Sequence, residues 1–320
     1  MKFDRRAPGQ GVNVSCRCES GRAYLDWEIL FTETEESGKR GIFSLYLSDR
    51  QGAPVLQCMG NAGEEEPMKS VLLQPHLWNG MSDPYLYTLE AFLLDEKGVC
   101  RDRLTRQLAL YSLTWQGDLF LNGVRFDERA VRYSLPEAAS PAQLQRMVNE
   151  DLQRLCEMGA NCLHVEEEEG REGYGVLSVL CERLGFLVRP GNGGDGLPTY
   201  LGAEDSLVDG KGVPSEAFYR YKAKWSAEPF VYIAPGSVRM QENGSFSAAV
   251  YSNSTRVALY SDGILHEFQS GCCEFLFRGI PAKKPCILLA AETENCRSAL
   301  TLHKSLLKKP INPPLSGEIG

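Results

Sequence analysis

Residues 166–169 of this 320-residue chain are four consecutive glutamates. Carboxylates this close repel one another, which raises the pKa of at least one and suits it to act as a general acid. The same cluster suits a cation, and the commonest use of such a run is a solvated loop. His164 points the same way as Glu166 by strand alternation, while Arg132 and Arg189 lie toward the ends of neighbouring strands. Arg132, His164, Glu166, Glu167 and Arg189 therefore form the candidate ligand-binding set. The favoured role for Arg132, His164 and Arg189 is a structural ion-pair network, and no residue is assigned a catalytic role.

The eleven cysteines form no C-x-x-C pair, and their number is odd. Cys16 and Cys18 fall on one face of an alternating segment, and Cys272 and Cys273 are adjacent. The four histidines (His76, His164, His266 and His303) are scattered. Zinc sites show paired Cys or His at matching spacings, so the expectation is free thiols in a reducing compartment, with no metal and no cofactor. The glycine-rich stretch from Gly191 to Gly196 lacks the G-x-x-x-x-G-K-[ST] pattern and a following helix, so it reads as a flexible joint rather than a phosphate loop.

The elements that must position these residues fall into three parts. From Gly11 to about Leu113 the pattern is β, with strands around 24–31, 42–47 and 86–94 separated by turn clusters, as in a small antiparallel sandwich. A hairpin on Asn122-Gly123 follows. Ser140, Pro141 and Gln143 then predict a helix start, with Leu144, Met147, Val148, Leu152 and Leu155 on one face and Gly159 as the stop. Strands at Cys162–Val165 and Phe186–Val188 around a helix from Tyr174 to Leu184 make a βαβ unit with parallel strands. A third helix is expected from Pro214 to Lys224, and a second small sandwich from Pro229 to His303.

Formal charge is −8, and no basic stripe is present, which excludes a nucleic-acid partner. No apolar run reaches the ~20 residues of a membrane span, and the first residues lack the apolar stretch of a secretory signal. The expected location is the cytoplasm.

Several segments together resemble the family 2 glycoside hydrolases, the β-galactosidase and β-glucuronidase family. Leu77-Trp-Asn-Gly-Met-Ser-Asp-Pro-Tyr-Leu-Tyr-Thr-Leu is similar to the family's "LW…PYLYTL" signature, and Phe120-Leu-Asn-Gly to its "f-LNG" hairpin. Leu155-Cys-Glu-Met-Gly-Ala-Asn-Cys-Leu-His resembles "mK-x-mGaNavR", and Leu180-Cys-Glu-Arg-Leu-Gly-Phe-Leu-Val resembles "lcDelGilV". The stretch from Leu207 through Ala217–Pro229 resembles the exit from the family's barrel, and Val250-Tyr-Ser-Asn resembles the "vySN" strand of its downstream sandwich.

The resemblance implies two immunoglobulin-like β-sandwiches (residues 1–114 and 228–306) flanking a vestigial, incomplete (β/α) barrel segment with a glycine-rich link (115–227), then a flexible tail (307–320). It also implies a loss. The family's two catalytic glutamates end barrel strands four and seven, yet this chain runs from its third strand to the exit segment in about twenty residues. Asn149-Glu150 lies inside the first helix and cannot replace the family's Asn-Glu pair. The expectation from the resemblance is also that the family's jelly-roll sugar-binding domain is lacking. The family's histidine after the hairpin falls at Ser134, and its acidic strand end at Arg189-Pro190.

The expectation is a catalytically inactive relative serving as a binding, scaffold or accessory protein of carbohydrate metabolism. The alternatives are an active β-glycosidase with a carboxylate pair rebuilt from Glu166–Glu169 and Asp205 or Asp209, or a subunit that completes its site with a partner chain. A carbohydrate ligand, self-association over the open barrel face and a larger glycosidase are the expected partners. Tyr219, Tyr221 and Trp225 suit stacking on sugar rings, although their helical spacing favours packing.

Overall fold

The computed structural model describes residues 2–4, 11–32, 41–62, 67–166, 173–191, 193–194, 196–203 and 205–306. Glu167 to Glu169, the acidic run at 64–66 and the tail from 307 lie outside the described residues. The chain divides into two compact units, residues 1–153 with 161–197, and residues 154–160 with 198–320.

In the first unit, a three-stranded antiparallel sheet has Arg22–Ile29 between Val12–Glu19 and Met68–Leu73. A four-stranded sheet runs in the order Pro54–Ala62, Gly41–Ser48, Tyr87–Leu94, Cys100–Leu108. Every second residue of Tyr87–Leu94 is buried, as period-2 alternation requires of a strand with one face on a core. Leu25, Trp27, Leu45, Leu47, Leu89 and Leu93 from the two sheets close that core. Cys16 and Cys18 do share a face, with their sulfurs 3.6 Å apart.

The same unit contains a three-stranded parallel sheet, β1 (Ala130–Tyr133), β2 (Cys162–Val165) and β3 (Leu187–Pro190), paired in that order. Helix α1 (Pro141–Met158) joins β1 to β2, and α2 (Tyr174–Leu184) joins β2 to β3. Ser140 Oγ accepts the Gln143 N–H at 3.2 Å, and Gln143 Oε1 accepts the Ala139 N–H at 3.1 Å, so the expected cap forms. Right-handed crossovers between strands that follow one another across the sheet put both helices on one face. Val131 and Leu163 are fully buried, and Ala130, Cys162 and Leu187 alternate with their neighbours onto the opposite face.

That opposite face is covered by the segment around Trp78. The indole is 1% exposed and packs with Leu86, Ala109, Leu119, Leu121, Ala130, Cys162 and Leu187. Its Nε1 donates to the Glu182 carbonyl at 2.8 Å, near the end of α2. Asn122, in the hairpin between Leu119–Leu121 and Val124–Arg125, donates to the Trp78 carbonyl at 2.8 Å and accepts the Ser112 N–H at 2.9 Å. Gly185 ends α2 in the left-handed region at φ 86°, and a Cβ there would lie 2.5 Å from Met81 backbone atoms. Glycine therefore serves both the cap and the close approach.

In the second unit, Phe246–Ser252 pairs with Val231–Ile233, Arg239–Met240 and Cys273–Ile280. The facing sheet runs in the order Ile264–Ser270, Arg256–Ser261, Cys286–Glu292, Arg297–His303. Phe246, Val250, Leu259, Phe277, Ile287 and Leu289 form its core. Helix α3 (Glu216–Trp225) starts two residues later than expected. Pro214 forms a β-bridge with Val208, and Ser215 Oγ caps the helix by accepting the Phe218 N–H at 3.4 Å. Asn253 clamps the following link, donating to the carbonyls of Ser226 (3.0 Å) and Glu228 (2.8 Å) and accepting the Phe230 N–H. Among the described residues, no helix is long and apolar enough to cross a membrane.

Two outcomes follow from this packing. Replacing Gly185 with Ala forces a Cβ into the Met81 backbone at a positive φ, and a urea titration is expected to show a loss of about 2–4 kcal/mol. Glu182 is pushed up to about 7 by burial, against the opposing charge of Arg106 and an N–H from Ala109. A raised carboxyl pKa favours the fold at low pH and loses that contribution as pH rises through the folded value. Glu182→Gln is therefore expected to raise the melting temperature at pH 8 by roughly 2–8 °C and to change it little at pH 5.

Candidate functional site

Register places Arg132, His164 and Arg189 side by side across β1, β2 and β3, with Ala130, Cys162 and Leu187 in the row before them. The group that gathers two of them comes from outside the sheet. Glu128, two residues ahead of β1, extends its carboxylate along this face. Its Oε1 lies 2.9 Å from His164 Nε2, 3.2 Å from Cys162 Sγ and 3.0 Å from Arg189 Nη1, and its Oε2 lies 3.0 Å from the same Nη1. The Glu128 peptide is itself clamped by Asn161. The Asn161 Oδ1 accepts the Arg129 N–H and its Nδ2 donates to the Asp127 carbonyl, both at 2.8 Å.

Burial pushes the Glu128 pKa up, but hydrogen bonds from His164, Arg189 and Cys162 and the guanidinium charge outweigh it, so the carboxyl lies below its ordinary value. It is ionised near neutrality and can only accept. His164 Nε2 must therefore carry a proton, which in a neutral imidazole leaves Nδ1 as a bare acceptor. Nδ1 is buried with no hydrogen-bond partner among the described residues, beside Gly193, where a Cβ would stand 3.0 Å away. Burial, and then the Glu128 charge, pushes the Cys162 thiol up, so it stays protonated and donates to the carboxylate.

Glu128 also lines a cavity of about 340 Å³, with Trp115, Asp118, Arg125 and Asp127 among its walls. Trp115 is 66% exposed, and the Arg189 guanidinium stands 6.0 Å from its ring centre. Arg125 is paired with Asp118 at 3.1 Å. An aromatic face beside paired carboxylates and guanidinium groups can hold a polyhydroxylated or cationic ligand.

Of the residues expected from sequence, His164 and Arg189 meet at Glu128, and Arg132 stands in register beside His164. Glu166 is exposed, and Glu167 lies outside the described residues. Asp209 holds a turn, its Oδ1 accepting the N–H groups of Lys211 (2.9 Å) and Val213 (2.8 Å). Asn149 and Glu150 lie within α1. Tyr219 stacks on Tyr232 at 3.6 Å, and Tyr221 packs on Trp225 at 4.7 Å, so these rings pack on neighbouring aromatics. Glu128 was missed. The available signal was its position on the same alternation as Ala130 and Arg132, one step before the strand.

The lowered pKa of Glu128 sets the sign of its contribution. Its stabilisation is complete above the unfolded carboxylate value of ~4.3 and fades as acid titrates the folded carboxylate. Glu128→Gln leaves Arg189 without its counter-charge and is expected to cost about 1–3 kcal/mol at pH 7. Parallel denaturant titrations should show the gap between wild type and variant closing below pH 4.

No protein-family profile matches the chain, and no curated protein matches it in sequence. Solved structures do match in fold. The FMN-binding β-glucuronidase from Faecalibacterium prausnitzii L2-6 superposes with a TM-score of 0.75 at 14% identity, over 97% of this chain and 75% of that one. A β-glucuronidase of Bacteroides uniformis gives 0.71 at 12% identity, over 97% of this chain and 62% of its own. A glycosyl hydrolase family 2 member from Bacteroides cellulosilyticus gives 0.64 at 12% identity, over 94% and 63%. This chain thus spans less than two thirds of the length of the latter two proteins. At such identities the likeness is one of fold, and the fold of this chain is that of the family 2 glycoside hydrolases.

Proposed function

We propose that this protein is a catalytically inactive member of the glycosidase-like group, acting as a binding or accessory protein of carbohydrate metabolism in the cytoplasm. The observation that carries the reading is the path of the chain after β3. Among the described residues, no further parallel strand lies between Pro190 and α3, and the chain then enters the antiparallel strands of the second unit. A vestigial barrel of three strands has no place for two carboxyl groups at the ends of a fourth and a seventh. Retaining hydrolysis requires such groups about 5–5.5 Å apart, one as nucleophile and one as acid.

The carboxylate in the middle of the surviving face is also unsuited to either role. Glu128 accepts hydrogen bonds from three side chains, and its lowered pKa disfavours the protonated form that a general acid needs. The lone pairs a nucleophile would use are engaged by Arg189, His164 and Cys162. The cavity beside Trp115 is the proposed carbohydrate contact. β1 and β3 each pair only with β2 among the described residues, which leaves outer edges for a second copy of the chain or a larger glycosidase.

The test is a panel of chromogenic β-galactosides and β-glucuronides incubated with the purified chain. The expected result is no turnover above a no-enzyme control. Turnover abolished by Glu128→Gln or Glu166→Gln would establish a rebuilt carboxylate site instead.

A further inference from the structure

The group around Glu128 has a second use that needs no carboxylate pair. Glu128, Cys162 and His164 each offer a ligand atom within 4.8 Å of the other two, with Glu128 Oε1 3.2 Å from Cys162 Sγ and 2.9 Å from His164 Nε2. Zinc bound by sulfur at ~2.3 Å and by nitrogen and oxygen at ~2.0 Å sets its ligand atoms roughly 3.3–3.8 Å apart. The three atoms reach that spacing by shifts of tenths of an ångström to about one ångström. We propose that Glu128, Cys162 and His164 form a binding site for a borderline-soft divalent cation, zinc above all.

The donor set fixes the class of ion. A thiolate and an imidazole with a single carboxylate suit zinc, while magnesium and calcium take oxygen ligands. Both Cys162 and His164 are buried on β2, two residues apart, so one strand presents both donors on one face. Arg189 does not need to leave. It bridges the carboxylate with a 3.0 Å contact to Oε2, so Oε1 can turn to the metal while the guanidinium holds the other oxygen as an outer-sphere partner. Zinc, thiolate and carboxylate sum to zero charge, and Arg189 keeps its own. Glu128 borders the 340 Å³ cavity, which leaves a fourth position open to water or a small ligand.

Protons balance simply. The Cys162 thiol loses its proton to solvent. The imidazole proton moves from Nε2 to Nδ1, which has no partner among the described residues in the metal-free state. One proton is released per metal bound. Apparent affinity should therefore rise about tenfold per pH unit while the free thiol is protonated.

The experiment is a Co²⁺ titration of the full chain after dialysis against chelator, with Zn²⁺ as competitor. The expected result is a near-ultraviolet thiolate-to-cobalt absorption that saturates at one equivalent, is removed by Zn²⁺, and is unchanged in the C16S/C18S double variant. C162S should abolish the band, and E128Q and H164Q should each weaken binding at least tenfold, with circular dichroism confirming the fold. Calorimetry of the wild-type chain in buffers of different ionisation enthalpy should report one released proton, a readout that needs no variant to fold. The absence of the band, its survival in C162S, unchanged affinity in both E128Q and H164Q, or zero proton release would overturn the proposal.

Discussion

A parallel sheet of three strands cannot close on itself, and most features of the first unit answer that constraint. In a closed barrel the inner face of each strand meets the inner faces of the others, and no edge is left open. Here the helices take one face, and the other must be covered by different material. The cover has two parts that follow the strands from end to end. Beneath the first row, Trp78 and the hairpin leucines pack on Ala130, Cys162 and Leu187. Over the next row, Glu128 binds His164 and Arg189. Apolar packing gives way to a charge network along a strand only four residues long.

The two parts are mechanically joined. Asn161 immediately precedes β2 and grips the peptide units on both sides of Glu128, so the strand that carries Cys162 and His164 also sets where the carboxylate stands. Trp78 reaches the α2 terminus through Glu182, and Gly185 lets Met81 approach where no other residue would fit. Asn122 adds the hairpin to the same cluster through the Trp78 carbonyl. Segments with the strongest family resemblance are thus the ones whose polar side chains and glycines hold neighbouring elements in contact. These residues serve the joint between layers.

The electrostatics of the open face set the state of its central carboxylate. A carboxylate held ionised by an arginine, a histidine and a thiol is a good anchor and a poor acid. Arg189, His164 and Cys162 gather around that one charge, beside the cavity that Trp115 lines.

Much of the local structure was legible in the residues alone. Ser140, Gln143 and Gly159 mark both ends of α1, Asn122-Gly123 marks the hairpin, and alternation marks the strands, because capping, turn geometry and one-sided burial act within a few residues. The strand assignments also brought His164 and Arg189 to the same strand ends. What those two side chains meet was decided by tertiary structure. Glu128 is 36 residues from His164 and 61 from Arg189 along the chain, and its alternation with Ala130 and Arg132 gives it a face but not its partners. The start of α3 shifted for the same reason, since the bridge from Pro214 to Val208 is a pairing that no local rule contains. Local rules determine which segments become helix, strand or turn. The position of a single charged group among distant partners depends on how those segments pack, and that is where the character of this site was set.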